Sequence, residues 1–432
     1  MTLTAHRGEI VDLLGDPRGR PDALRHYPDG LLVLEDGHVR ALGPFEDTVS
    51  TLPDETHVTL HERGLIVPGF VDCHVHYPQL DMMAAPGAKL MDWLERYTFP
   101  AEAAFADADH AQDVAGRFIA ALLAHGTTTA LVFATVHAQS VDALFAAALA
   151  ENMRLIGGKV LMDRNAPDAL CEDADTAWRD SRDLIARWRG CGRLGYAVTP
   201  RFAPGCSPEL LQVAGRLLTE TPDALLQTHL AENEDEIALV AQLFPEAADY
   251  LDVYARHDLL TDRSVFAHCV HADDAMRSRL AGADAAIATC PTSNMFLGSG
   301  LFDYDTARAA GIRIGLGSDV GAGTTLSIPA TAGAAYQAGH LRGSALDPLE
   351  AFYMMTLGGA SALRLADRIG NFTPGKEADF LVLDAAATPV LARRLAGCRD
   401  IAEMLFAMTI LGDDRIVRHT YVAGRLAYTA RA

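Results

Sequence analysis

The chain has 432 residues, half of them hydrophobic, enough for a large core and more than one small domain requires. Its 57 acidic residues outnumber 36 basic ones, and the net charge of −21 argues against polymeric nucleic acid and anionic membranes as partners, while a free neutral base stays compatible. Seven widely spaced cysteines without a Cys-x-x-Cys pair, no leader-like N-terminus and no uncharged apolar run of membrane-spanning length point to a reducing cytoplasm.

Residues 9–59 carry β signals, with Leu31-Leu32-Val33-Leu34 and His38-Val39-Arg40-Ala41-Leu42 flanking Asp36-Gly37, the composition of a tight hairpin turn. The next stretch, Pro68-Gly69-Phe70-Val71-Asp72-Cys73-His74-Val75-His76, reads as a short buried strand. Its two histidines lie two positions apart and so share one face, where each can offer a ring nitrogen to one divalent metal.

From there strands alternate with helices, which implies parallel strands joined by helical crossovers. A helix over 109–125 stops at Gly126, and a β-rich run covers 127–135. A strand over 154–162 is followed by a helix over 178–188 closed by Gly190, then a strand over 194–199. Ser207-Pro208 opens a helix that ends near Thr221-Pro222. Four more short apolar strands follow at 225–229, 264–268, 285–289 and 312–316. With the strand that ends at His74 these make eight, the arithmetic of a (β/α)8 TIM-like barrel.

A helical tail follows, with Asp347-Pro348-Leu349-Glu350 as a capped helix start. β signals return over 378–383 and 417–428. The predicted class is therefore α/β: a barrel over 68–368 and a small β-sandwich built from both termini, 1–67 and 369–432.

A barrel collects its reactive groups at the C-terminal ends of its strands. The fifth strand runs out through Gln227-Thr228-His229 to Glu232, the sixth ends at His268, and the eighth is followed by Gly317-Ser318-Asp319. Any one of these has an ordinary explanation as a surface histidine or a helix cap. Five residues at strand ends, His74, His76, His229, His268 and Asp319, together point to a metal centre. Other chemistries miss on spacing: there is no dinucleotide fingerprint, P-loop lysine, His-Glu-x-x-His, cytidine-type deaminase signature or nucleophile elbow.

His74-x-His76, His229, His268 and Asp319 on successive strands resemble the metal signature of the amidohydrolase superfamily. The His229-to-Glu232 step resembles its single-metal deaminase branch; the bridging lysine of binuclear members has only Lys159 as a barrel-strand candidate. More local segments are similar to the guanine deaminase family. They are Pro78-Gln79, Asp92-Trp93-Leu94, Tyr97-Thr98-Phe99-Pro100-Ala101-Glu102, Gly158-Lys159-Val160-Leu161-Met162-Asp163, Val198-Thr199-Pro200-Arg201-Phe202, Cys206-Ser207, His229-Leu230-Ala231-Glu232-Asn233 and Ser318-Asp319-Val320.

The resemblance implies metal-dependent deamination of a purine and a homodimer. One divalent ion, zinc or alternatively iron, would be held by His74, His76, His229 and Asp319. Glu232, His268 and Asp319 would act in catalysis, and Gln79, Arg201, Phe202 and Trp93 would bind the base. Trp93 fits two readings, a lid on the pocket or part of a buried helix face with Leu90, Leu94 and Tyr97. Residues 322–325 depart from the family pattern. The alternative activity is that of a mononuclear aminohydrolase acting on 8-oxoguanine, a pterin, a triazine or an adenosine-like ring.

Overall fold

A computed structural model of the chain describes residues 2–87, 90–344 and 346–431. Four strands come first: β1 (Leu3–Leu13), β2 (Leu24–Glu35), β3 (His38–Pro44) and β4 (His57–Pro68). The barrel strands are β5 (Phe70–His76), β6 (Thr127–Phe133), β7 (Arg154–Gly158) with its short continuation β8 (Val160–Leu161), β9 (Leu194–Pro200), β10 (Leu225–Leu230), β11 (Ser264–His268), β12 (Ala286–Thr289) and β13 (Arg313–Leu316). β14 (Phe380–Asp384), β15 (Val417–Val422) and β16 (Arg425–Thr429) end the chain.

Every residue of β5 and of β6 is buried, the mark of parallel strands covered on both faces. The barrel ladder runs β13-β12-β11-β10-β9-β7-β6-β5. Its seam closes just past the strand ends: the Asp319 N–H donates to the His74 carbonyl at 2.8 Å, and the His76 N–H donates to the Val320 carbonyl at 2.9 Å. The seam is thus tied together by the backbone of three of the predicted metal ligands.

The two termini combine into one seven-stranded mixed sheet of order β16-β15-β14-β4-β1-β2-β3. The Asp-Gly hairpin forms as predicted, with Asp36 and Gly37 both at positive φ (48° and 80°). Val11, Leu13, Leu65 and Val67 of this sheet share a continuous core with Phe70, Phe118 and Leu122 of the barrel. Below that core, Arg193 donates to Glu377 at 2.8 Å and to Asp379 at 2.9 Å, and Arg154 donates to Glu377 at 2.9 Å, so the 373–379 segment fastens the sheet to the start of the barrel strands.

Three details differ from the sequence reading. The helix expected from 178 begins at Ala174, because Asp173 caps it through the Thr176 N–H. Helices Pro389–Leu395 and Ile401–Leu411 occupy a stretch read as part of the terminal β unit. The second is apolar almost all round and offers no helical period to read; its Asp400 cap is the one local sign. Lys159, the bridging-lysine candidate, sits at the break between β7 and β8 and is engaged by Glu172 in a buried ion pair. No described helix is long and apolar enough to cross a membrane.

The terminal sheet also holds a pH-sensitive pair. His6 of β1 and His61 of β4 stack with ring centroids 5.3 Å apart, and His6 Nδ1 lies 3.1 Å from His61 Nε2. Burial, reinforced by His61 and His57, pushes His6 down to about 3, and burial pushes His61 down to about 4. Both are therefore neutral in the fold, and His6 Nε2 has no acceptor to receive a proton's charge. The unfolded chain takes up protons below about pH 6.5 while the folded chain does not, so stability is complete above that pH and is lost as pH falls toward 4. Urea unfolding midpoints should drop over this window, and His6→Gln should flatten the slope.

Candidate metal centre and active site

The strand ends bring four donors to one point. His74 Nε2 lies 3.1 Å from His76 Nε2, and His76 Nε2 lies 3.3 Å from His229 Nε2. Asp319 Oδ1 lies 3.2 Å from His74 Nε2 and 3.3 Å from His76 Nε2. Metal–nitrogen bonds of about 2.0–2.1 Å in a tetrahedron place neighbouring donors about 3.3 Å apart, so the spacing fits one small divalent cation. The His229 Nδ1–H donates to the Arg201 carbonyl at 2.6 Å, which leaves its Nε2 lone pair facing the cluster.

Burial drives all three imidazoles toward the neutral form, lowering His74, taking His76 to about 3 and leaving His229 well below its ordinary value. Burial raises Asp319, but the hydrogen bond from His74 and the other histidines outweigh it and hold the carboxyl well below the usual carboxylate range. Neutral nitrogens around a carboxylate are the protonation states that bind metal. A second grouping replaces His76 and His229 by His268 and Cys290. Burial raises that thiol well above its ordinary value, so it faces the centre protonated.

Asp72, fully buried behind the ligands, accepts from the His74 N–H at 3.1 Å and the Ser318 N–H at 3.0 Å, and its other oxygen takes the Ser318 hydroxyl. It spans the barrel seam and orients both ligand-bearing segments.

Ala231, His268 and Asp319 adopt left-handed backbone conformations at φ of 48°, 68° and 50°. Each costs about 1–3 kcal/mol for a residue with a Cβ, a cost that concentrates where a site needs a side chain turned sharply from its strand. His268 Nδ1 lies 2.8 Å from Asn294 Oδ1, so it carries the proton, and Nε2 has no hydrogen-bond partner among the described residues. That nitrogen is 3.5 Å from Glu232 Oε2 and 3.7 Å from Asp319 Oδ2. The three groups converge on one point, too far apart to satisfy one another directly.

Glu232 accepts from the Ser299 hydroxyl at 3.1 Å. Burial, and then the charge of Asp319, raise its carboxyl to about 8, so it is a neutral acid at neutral pH. Its backbone N–H donates to Glu236 Oε2 at 3.1 Å, and Glu236 in turn takes the Tyr250 hydroxyl at 2.7 Å.

These groups form one end of a cavity whose walls include Gln79, Leu90, Trp93, Leu94, Arg201, Phe202, Leu297 and Ala322. All the residues singled out from sequence therefore line or support one cavity. Trp93 packs with Leu90 and Leu94 in an apolar cluster, as the helix-face reading expects, and also lines the cavity, with its indole N–H given to the Ala85 carbonyl at 3.0 Å. Arg201 Nη1 donates to both oxygens of buried Glu102, at 2.8 and 2.6 Å, and Gln79 Nε2 donates to the same carboxylate at 3.1 Å. Sequence reasoning assigned no role to Glu102, Asp72, Ser299 or Asn294. The first two lie inside segments it quoted, and an acidic residue among apolar neighbours was their one visible signal.

The amidohydrolase family profile matches residues 65–427. A guanine deaminase of Escherichia coli (strain K12) is 49% identical over 430 residues, covering 99% of this chain and 98% of the relative. The solved structure of E. coli guanine deaminase superposes with a TM-score of 0.96 at 47% identity, covering 100% of both chains. A guanine deaminase from C. acetobutylicum, solved with guanine bound in its active site, superposes with a TM-score of 0.89 at 31% identity over 99% of this chain and 100% of that one. The barrel, the four-donor centre and these full-length similarities agree: the chain belongs to the amidohydrolase family, among its guanine deaminases.

Proposed function

We propose that this chain hydrolyses guanine to xanthine and ammonia, with Glu232, His268 and Asp319 as its acid–base groups and Gln79, Arg201, Phe202 and Trp93 around the base. The observation that carries the assignment of roles is the cavity itself. A neutral buried acid stands beside a four-donor metal cluster at one end, and a guanidinium lies on the wall. A divalent ion held by His74, His76, His229 and Asp319 would supply the Lewis acidity that brings the pKa of water to about 7.

The free Nε2 of His268 accepts a hydrogen bond from the water that is to attack, because Asn294 fixes its tautomer. As the water oxygen adds to C2 of the base, negative charge develops on N3, and Glu232 delivers its proton there. Asp319, held ionised, accepts the proton given up by the water. Glu232, left as its carboxylate, takes the proton of the new C2 hydroxyl and passes it to the exocyclic amine as the C2 carbonyl forms and the C2–N bond breaks; Asp319 then returns its proton to Glu232, and guanine and water have become xanthine and ammonia. Phe202 offers an apolar face to the ring.

The ion is read as zinc, with iron the alternative, because imidazole and carboxylate suit both. The barrel over 68–368 is read as the catalytic unit and 1–67 with 369–432 as its support. The free cysteines support a reducing cytosol, and the resemblance supports a homodimer serving purine catabolism. The test pairs elemental analysis of the purified protein with absorbance assays on guanine, 8-oxoguanine, a pterin, a triazine and adenosine. One zinc per chain and turnover strongest on guanine are expected. Stronger ammonia release from another ring would replace the substrate, and full activity after chelation would remove the metal.

A further inference from the structure

We infer that Glu102 is a specificity-determining positioning residue: by holding Arg201 and Gln79, it makes the cavity read a carbonyl oxygen at C6 of the base and reject an amino group there. The inference rests on the proposed function above, because it assumes that Arg201 faces the base.

Glu102 comes from the short helix Phe99–Ala103 and is 1% exposed. Its carboxylate joins two side chains from different parts of the barrel rim. Arg201 follows β9 and Gln79 follows β5, and both donate to Glu102 Oε1, at 2.8 and 3.1 Å.

Each of these bonds removes a freedom. Gln79 Oε1 accepts from the Gly321 N–H at 3.1 Å while Gln79 Nε2 donates to Glu102. Turning the amide over would set its NH2 against an N–H and its carbonyl against a carboxylate, so Gln79 is locked in one of its two orientations. Arg201 gives Nη1 to Glu102, whereas its Nε and Nη2 have no protein partner among the described residues. The same helix also carries Phe99, whose ring centroid is 5.8 Å from the guanidinium carbon.

The guanidinium can only donate. What it leaves for the cavity is therefore a pair of donors in a fixed direction. Guanine offers neighbouring acceptors, O6 and N7, to such a pair. A purine with an amino group at C6 would set donor against donor, and one with hydrogen there would leave a buried donor unsatisfied. Without Glu102, Arg201 would keep its charge but lose its direction, and Gln79 could turn over.

The deciding measurement compares guanine with 2-aminopurine, which carries the same reacting amine at C2 but no oxygen at C6. Both are assayed for kcat and KM with metal-loaded wild type, Glu102→Gln, Glu102→Asp and Arg201→Met, using competitive inhibition for any pair turned over too slowly. In Glu102→Gln the preference for guanine over 2-aminopurine should fall by about tenfold or more, because guanine loses the contact to O6 that 2-aminopurine never had, with the loss read mainly as a higher guanine KM and with metal content little changed. Glu102→Asp, which keeps the charge but draws it back by one methylene, should lie between and decides the matter if the glutamine variant does not fold. A parallel loss for both bases in the Glu102 variants, with Arg201→Met alone collapsing the preference, overturns the role of Glu102 and leaves the placement of the base intact. A preference that also survives Arg201→Met defeats the placement of the base, and this inference with it.

Discussion

Glu232→Gln should lower kcat for guanine by about 10²- to 10⁴-fold while leaving metal content and guanine KM close to those of the wild type. Glutamine has the same shape and can still accept from the Ser299 hydroxyl, as Glu232 does at 3.1 Å. The Glu232 backbone N–H stays on Glu236, so the strand end keeps its course. What is lost is a proton: burial and the neighbouring Asp319 charge keep this carboxyl protonated up to about pH 8, and an amide has nothing to give to N3. Single-turnover kinetics and elemental analysis of the same preparation check the split. Wild-type turnover in the variant would remove Glu232 from the reaction; loss of metal with loss of turnover would make its role structural.

The second large effect is expected at a residue that lies behind the donor cluster and does not line the cavity. Asp72→Ala should cut metal occupancy to less than half and destabilise the fold by about 3–5 kcal/mol. Asp72 is fully buried and takes two backbone N–H groups and the Ser318 hydroxyl, and its deletion leaves these donors in a site with no water-exposed alternative. Burial raises its carboxyl to about 6 against the pull of the donors from Ser318 and His74, so the clamp itself is held at some cost. Those donors belong to the segments that carry His74 and Asp319, and a shift of either opens the 3.2 Å approach between the two ligands. Asp72→Asn, which keeps the shape and an acceptor, should fall between alanine and wild type. Full metal content and an unchanged melting temperature in the alanine variant would show that the seam holds without it.

Much of this was legible in the chain because strands buried on both faces leave long apolar runs, and the run ends with histidines mark where a barrel exposes its chemistry. His74, His76, His229, His268 and Asp319 were found in that way. The partners of Arg201 and His268 were not, because tertiary approach chooses them: Glu102 lies 99 positions before Arg201, and Asn294 lies 26 after His268. Lys159 is the reverse case, a residue type with a known use in binuclear relatives whose charge is here answered by Glu172, in keeping with the single-metal reading. The helix Ile401–Leu411 escaped notice for a third reason, since apolar residues on nearly every side erase the periodicity that announces a helix.

The clamp from Asp72 to Ser318 spans 246 positions, joining the first barrel strand to the loop beyond the last. A ribosome delivers the first of these long before the other. Of the four donors the His74–His76 pair is made first and His229 later adds a third; the carboxylate that completes the set arrives when about three-quarters of the polypeptide has been made. The full set of four donors is therefore present only late in synthesis, and a product truncated ahead of β13 would keep His74, His76 and His229 but lack Asp319.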